Sequence, residues 1–193
     1  MSASGARAWA ALAALLALAA LAGLPVDHHT LDWQPGLAGM QPWRAFSAVA
    51  VHYSGLHLAA NLAGALLVGA LGVVAELPVR VAAAWFVAWP LTQLGLLLRP
   101  DLLHYGGLSG VLHAGIAAAA LGLIVQARGR RRAIGAAILV VLCAKVLSES
   151  PWGPVLQTRS GWDIAVAPFA HATGLVSGLV CAGIVLCFPR VHD

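Results

Sequence analysis

Charge is what this sequence has least of. Asp, Glu, Lys and Arg make up 9% of its 193 residues, where a soluble domain usually carries about a quarter. Cysteine is nearly absent too. Cys143, Cys181 and Cys187 form an odd set, each inside an apolar run and none in a CxxC pair. That excludes a disulfide framework and leaves them as small core hydrophobes. There is no HExxH and no Cys/His ligand spacing, so neither a metal nor any other cofactor is expected. Repeats of 20–50 residues and low-complexity linkers are also missing. What remains is 61% hydrophobic residues at a mean hydropathy of +0.87, the composition of a polytopic membrane protein. The chain is too short to hold a sizeable soluble domain beside several spans, so one helical bundle over residues 1–193 is expected.

A bilayer-spanning helix needs roughly 20 apolar residues. Six segments approach this length: Ala8–Val26, Leu56–Ala75, Val81–Leu98, Leu108–Ala127, Ala133–Leu147 and Ile164–Phe188. The fifth is short and carries Lys145 near its end. The first, with Arg7 before it, also resembles a signal peptide, but its apolar run exceeds the usual ~7–15 residues and five more segments follow. The net charge of +4 is mostly arginine, which in a membrane protein reports topology first and does not call for nucleic acid. Arg7, Arg80, Arg128, Arg130, Arg131, Arg132 and Arg190 fall on one side, and Arg44, Arg99 and Arg159 on the other. The first side is expected to be cytoplasmic, together with the N-terminus. Segments two, four and six then begin at the outer face.

Polar groups inside spans are costly and tend to be functional. Segment two opens with His57 and Asn61, i and i+4 on one helix face. Segment four opens with Gly106-Gly107-Leu108-Ser109-Gly110, and segment six carries Ala170-His171-Ala172-Thr173-Gly174. The three clusters share a depth near the outer face, although the topology was drawn from Arg and Lys alone. Singly, each reads as an N-cap, an interhelical hydrogen bond or a satisfied buried histidine. Together they are the parts of an acyl-transfer site: a serine nucleophile, a histidine base with a suitable pKa, and donors for an oxyanion. His57, Asn61 and the Ser109 backbone N–H are the candidate donors. Gly106, Gly107 and Gly110 are expected to let a substrate backbone come close to Ser109. His171, Gly174 and Gly178 lie on one helix face, and the Gly-xxx-Gly pair suits close helix packing. If the partner helix is segment four, His171 reaches Ser109.

These residues resemble the rhomboid family of intramembrane serine proteases. The likeness covers Trp43 to Phe188. It includes Trp43-Arg44, the HxxxN segment His57–Asn61 with His52 before it, Glu76, GxSG at Gly107–Gly110 and AHxxG at Ala170–Gly174. The resemblance implies a six-span bundle, a Ser109–His171 dyad without an aspartate, and oxyanion support from His57 and Asn61. No carboxylate candidate for a third member lies inside a span. A narrower likeness, to rhombosortase, rests on the Tyr105–His113 run and on Lys145 and Glu149 at the end of segment five. It implies a single-span membrane protein substrate with a C-terminal Gly-Gly anchor, cleaved at the periplasmic face of a bacterial inner membrane. His52, His113 and Glu149 are accessory candidates, and the Lys145–Glu149 pair also reads as a plain interfacial ion pair. The loop Ser148–Pro168 is expected to lid the site. The alternatives are a general rhomboid protease for other single-span substrates, a non-catalytic rhomboid-like protein that binds membrane clients, and a small transporter.

Overall fold

In a lipid core, backbone groups find no water, so long apolar runs fold as helices that satisfy their own hydrogen bonds. The computed structural model describes residues 3–188, and Arg190 and His192 lie outside the described residues. Six long helices dominate: α1 (Ala3–Ala22), α4 (Gly55–Val74), α5 (Val79–Leu94), α6 (Ser109–Gln126), α7 (Gly129–Ser148) and α8 (Pro168–Cys187). Two short helices, α2 (His28–Leu31) and α3 (Arg44–Ser47), sit in the connection between α1 and α4. A two-residue antiparallel hairpin, β1 (Gln157–Thr158) with β2 (Ala165–Val166), sits between α7 and α8.

Among the described residues, five helices are long and apolar enough to cross a membrane: α1, α4, α6, α8, and α5 extended by a 3-10 turn to Leu98. The sixth expected span differs. α7 begins at Gly129, four residues before the expected start, and so takes in Arg130, Arg131 and Arg132 as well as Lys145. Four cations in twenty residues take it out of the apolar class, although it packs into the bundle. Segment six also starts later than expected: Ala165–Val166 pair as β2, and Pro168 opens α8 at a first-turn position where its missing N–H costs nothing.

The centre of the bundle is α6, which packs against α4, α5, α7 and α8. Its contact with α8 is backbone to backbone. A methyl at Gly174 would lie 1.9 Å from the Gly110 carbonyl oxygen, and one at Gly178 would lie 2.2 Å from that of Ala114. The condition for His171 to reach Ser109 is therefore met, since α8 packs on α6 through the predicted small-residue face. Away from this seam, Trp9 of α1 stacks on Trp85 of α5 with ring centres 5.3 Å apart. Trp85 donates its indole N–H to the Val111 carbonyl of α6 at 2.8 Å. Gly72 makes room for Trp9, whose ring atoms come within 1.9 Å of where a Cβ would be.

Arginines tie down both ends of the bundle. Arg131 donates to the Ala75 carbonyl at the end of α4, and Arg80 to the Val185 and Phe188 carbonyls at the end of α8. At the other end, where α4, α6 and α8 begin, Arg44 is buried against Asp32, and Arg99 donates to the Pro151 and Gly153 carbonyls.

Candidate functional site

The site is assembled by three helix beginnings. Ser54 caps α4, its hydroxyl accepting from the His57 N–H at 3.1 Å, and this fixes the turn that presents His57 and Asn61. Ahead of α6 the chain makes a tight approach. The Gly107 N–H bonds the Ala48 carbonyl at 2.9 Å, and Gly107 holds φ at +126°, a value side-chain-bearing residues rarely adopt. A Cβ there would stand 2.7 Å from His57 Nε2. Ser109 is the first residue of α6, so its backbone N–H is one of the helix's unpaired N-terminal donors.

Ser109 and His171 meet, with Oγ and Nε2 3.0 Å apart. On the far side of the imidazole, His171 Nδ1 lies 2.6 Å from Glu149 Oε2. Lys145 Nζ is 3.0 Å from Glu149 Oε1, 2.7 Å from His113 Nε2 and 3.2 Å from His171 Nδ1. His113 Nδ1 is 2.6 Å from the Ser109 carbonyl oxygen, and its ring stacks on that of His171 at 4.2 Å and 11°. One set of protons satisfies the network. Lysine is donor only, so it donates to Glu149 and to His113 Nε2. His113 is then protonated at Nδ1 and donates to the Ser109 carbonyl. His171 Nδ1 cannot both donate to Glu149 and accept from Lys145, and the shorter contact assigns its proton to the Glu149 bond. Nε2 is left as an acceptor facing the Ser109 hydroxyl.

These groups open on a cavity of about 730 Å³ between α4 and α7, floored by α6 and bordered by the α7–α8 connection. Its upper wall carries His57, Asn61, Ser109, Lys145, Glu149 and His171, while Leu67, Leu71, Ile116 and Ile138 make the deeper part apolar. His57 Nδ1 and Asn61 Nδ2 are buried there with no protein hydrogen-bond partner among the described residues. His52 does not line the cavity. It lies behind His57, ring centres 4.8 Å apart, and burial lowers its pKa to about 4, which keeps it uncharged at neutral pH.

A side chain at Gly106 or Gly110 would collide with the protein itself. A Cβ on Gly106 would meet Val51 at 2.5 Å, and one on Gly110 would meet the Ala170 carbonyl oxygen at 2.7 Å. Of the glycines in that run, Gly107 is the one set against the cavity's polar residues. The carboxylate on His171 is Glu149, an accessory candidate in the sequence; it lies outside the apolar spans because it caps α7 just beyond its last turn. Arg159 was counted only toward topology. It borders the cavity and donates to the Glu149 backbone carbonyl and to Gln157 Oε1. The α7–α8 connection is tied down by Ser54 Oγ, 2.7 Å from Asp163 Oδ1.

No curated protein matches the chain. The model of the Rhomboid domain matches residues 39–188, more than three quarters of the sequence, and its members are in general serine proteases. With apolar helices long enough for a bilayer and a Ser-His pair at one end of the bundle, this integral membrane protein belongs to the rhomboid family.

Proposed function

We propose that the chain is an intramembrane serine endopeptidase, in which Ser109 attacks the scissile carbonyl and His171 is the general base. The observation that carries this reading is the 3.0 Å contact between Ser109 Oγ and His171 Nε2 at the polar head of an otherwise apolar cavity. As the Oγ–C bond forms, the hydroxyl proton moves to Nε2, and the imidazolium is stabilised by Glu149 through Nδ1–H. The oxyanion falls between the Ser109 N–H, His57 and Asn61, whose unpartnered side-chain nitrogens are already desolvated. Collapse of the tetrahedral intermediate breaks the C–N bond, and His171 returns its proton to the leaving amine. Water then attacks the acyl carbonyl as His171 takes its proton, and collapse of this second intermediate breaks the Oγ–C bond while His171 returns the proton to Ser109, releasing the new carboxyl end. The expected dyad is thus extended to Ser109, His171 and Glu149, with Glu149 fixing the tautomer in the way a triad carboxylate does.

For the substrate, we infer a single-span protein with a C-terminal Gly-Gly anchor, as in the rhombosortase subfamily. The polar head of the cavity lies at the end of the bundle opposite Arg80 and Arg131, and the excess of arginine at that opposite end supports reading the head as the periplasmic side. The reacting bond must therefore sit at the outer end of the substrate helix. That helix has to unwind to expose its carbonyl, and glycine lowers the cost of unwinding by about 1 kcal/mol per residue relative to alanine. In this reading α7 crosses the bilayer as the sixth span, its arginines at the cytoplasmic surface and Lys145 held by Glu149 and His113. Cleavage of a Gly-Gly anchor fusion, its Leu-Leu counterpart and a generic helix-broken substrate in proteoliposomes tests both levels. Loss of cleavage and of fluorophosphonate labelling in Ser109→Ala is expected, and cleavage by that variant would remove the nucleophile assignment. Equal processing of the Gly-Gly and Leu-Leu fusions would reject the subfamily and leave the protease.

A further inference from the structure

Outside the cavity, a second group of polar side chains converges at the same end of the bundle. Asp32, between α2 and the bridge to Tyr105, is completely buried. One carboxylate oxygen, Oδ1, accepts from Arg44 at 3.0 Å and from Gln34 at 2.8 Å. The other, Oδ2, faces two imidazoles: His104 Nδ1 at 2.7 Å and His29 Nδ1 at 3.8 Å. One ligand atom from each of His29, Asp32 and His104 lies within 4.8 Å of the others. The neighbouring His28 turns away, edge-on to Tyr53.

We propose that His29, Asp32 and His104 form a binding site for a divalent transition ion of the zinc type. Two imidazoles and a carboxylate are the ligand set such an ion favours. Zinc bonds of about 2.0–2.2 Å put neighbouring tetrahedral ligand atoms about 3.4 Å apart, inside the spread found here. The carboxylate is prepared for the role. Its non-facing oxygen is anchored by Arg44 and Gln34, and such outer partners orient a metal ligand. The two imidazoles are partly exposed, with side chains 71% and 45% accessible, so they can close on an ion without disturbing the core. The ion takes the place of the proton between His104 and Asp32, and with three protein ligands its remaining positions go to water.

The absence of a metal motif in the sequence is explained by distance, since His29 and His104 come from segments 75 residues apart. What joins them is the bridge beside them: the Trp33 N–H bonds the Tyr105 carbonyl at 2.7 Å, and the Tyr105 N–H bonds the Trp33 carbonyl at 2.9 Å. Gly106 and Gly107 follow directly. An ion at His29, Asp32 and His104 staples the α1–α4 connection to the segment that sets Gly107 against His57.

The test uses the full chain in detergent, purified without a histidine tag and stripped with a chelator. Titration with Zn²⁺ against a chromophoric chelator should give one ion per chain with a dissociation constant below about 10 µM. Co²⁺ should give the visible absorption of a tetrahedral nitrogen–oxygen site. His29→Ala and His104→Ala should each weaken binding at least tenfold, and His28→Ala should not. Zn²⁺ should raise the melting temperature of the parent by several degrees and leave His29→Ala unmoved. His29→Ala should label with fluorophosphonate like the parent in the presence of chelator, which separates a lost ligand from a damaged fold. Binding weaker than about 100 µM in the parent, or undiminished binding in the His29→Ala, His104→Ala double variant, would overturn the site and leave His104–Asp32 as a plain hydrogen bond.

Discussion

Under the proposed protease mechanism, Gly174→Ala should nearly silence cleavage without touching a reacting group. A methyl at Gly174 would stand 1.9 Å from the Gly110 carbonyl oxygen and 2.8 Å from its carbon. Ordinary contact begins near 3.4 Å, so the two backbones must part by about 1.5 Å, and a main-chain carbonyl in a helix cannot swing aside as a side chain would. Overpacking of this kind costs about 1–3 kcal/mol, which a bundle of this size can absorb. The catalytic geometry cannot absorb it. His171 is one turn before Gly174 on α8, and Ser109 is next to Gly110 on α6, so the added separation falls on the 3.0 Å Ser109–His171 contact. A misplacement of 1 Å costs on the order of 10² in rate. The expected result in proteoliposomes is a fall of about 10²-fold or more in kcat, with the melting temperature lowered by only a few degrees. Gly178→Ala, 2.2 Å from the Ala114 carbonyl oxygen, should behave alike, and Gly183→Ala, with open space around it, should be silent. Full activity in a folded Gly174→Ala variant would refute the claim that this seam sets the Ser-His distance.

Glu149→Gln keeps the shape but can hold His171 in the wrong tautomer, so kcat should drop about 10²–10⁴-fold with KM little changed; parental kcat would remove Glu149 from the mechanism. His57→Ala and Asn61→Ala should each slow acylation by up to about 10²–10³-fold, and an unaltered rate in the double variant would exclude both as oxyanion donors. Gly72→Ala sets a methyl 1.9 Å from the Trp9 ring, which is fully buried and stacked on Trp85. It should lower stability by about 1–3 kcal/mol, read as a lower melting temperature in detergent, while fluorophosphonate labelling of the folded fraction stays normal.

The parts of this molecule legible in its sequence are those where chemistry and environment conflict. A serine, an asparagine and two histidines inside apolar runs are conspicuous because lipid penalises them, and apolar length alone locates five of the helices. Where the environment is mixed, the sequence says less. The start of α7 was misjudged because arginines at a membrane surface fit a helix as readily as a loop. Gly110 stands in sequence beside the proposed nucleophile, whereas its neighbours in space are Ala170 of α8 and Thr92 of α5. Glu149 was named as accessory, but its contact with His171 depends on how α7 leans toward α8, which no local pattern encodes. The same holds for Asp32 and His104, brought together by a two-residue bridge between distant loops.

The gap between α4 and α7 sets the terms on which this protein meets anything at all. Both helices pack on α6, but they make little contact with each other, and the deeper walls between them are leucine and isoleucine. In a bilayer such a slot is filled by hydrocarbon tails whenever no protein helix occupies it. A client helix of the proposed protease would displace lipid from the apolar depth of this slot, and its hold there would be a partition between two apolar neighbours. The relevant concentration is then the client's mole fraction in the membrane, and acyl-chain length and order would enter the kinetics of the proposed cleavage.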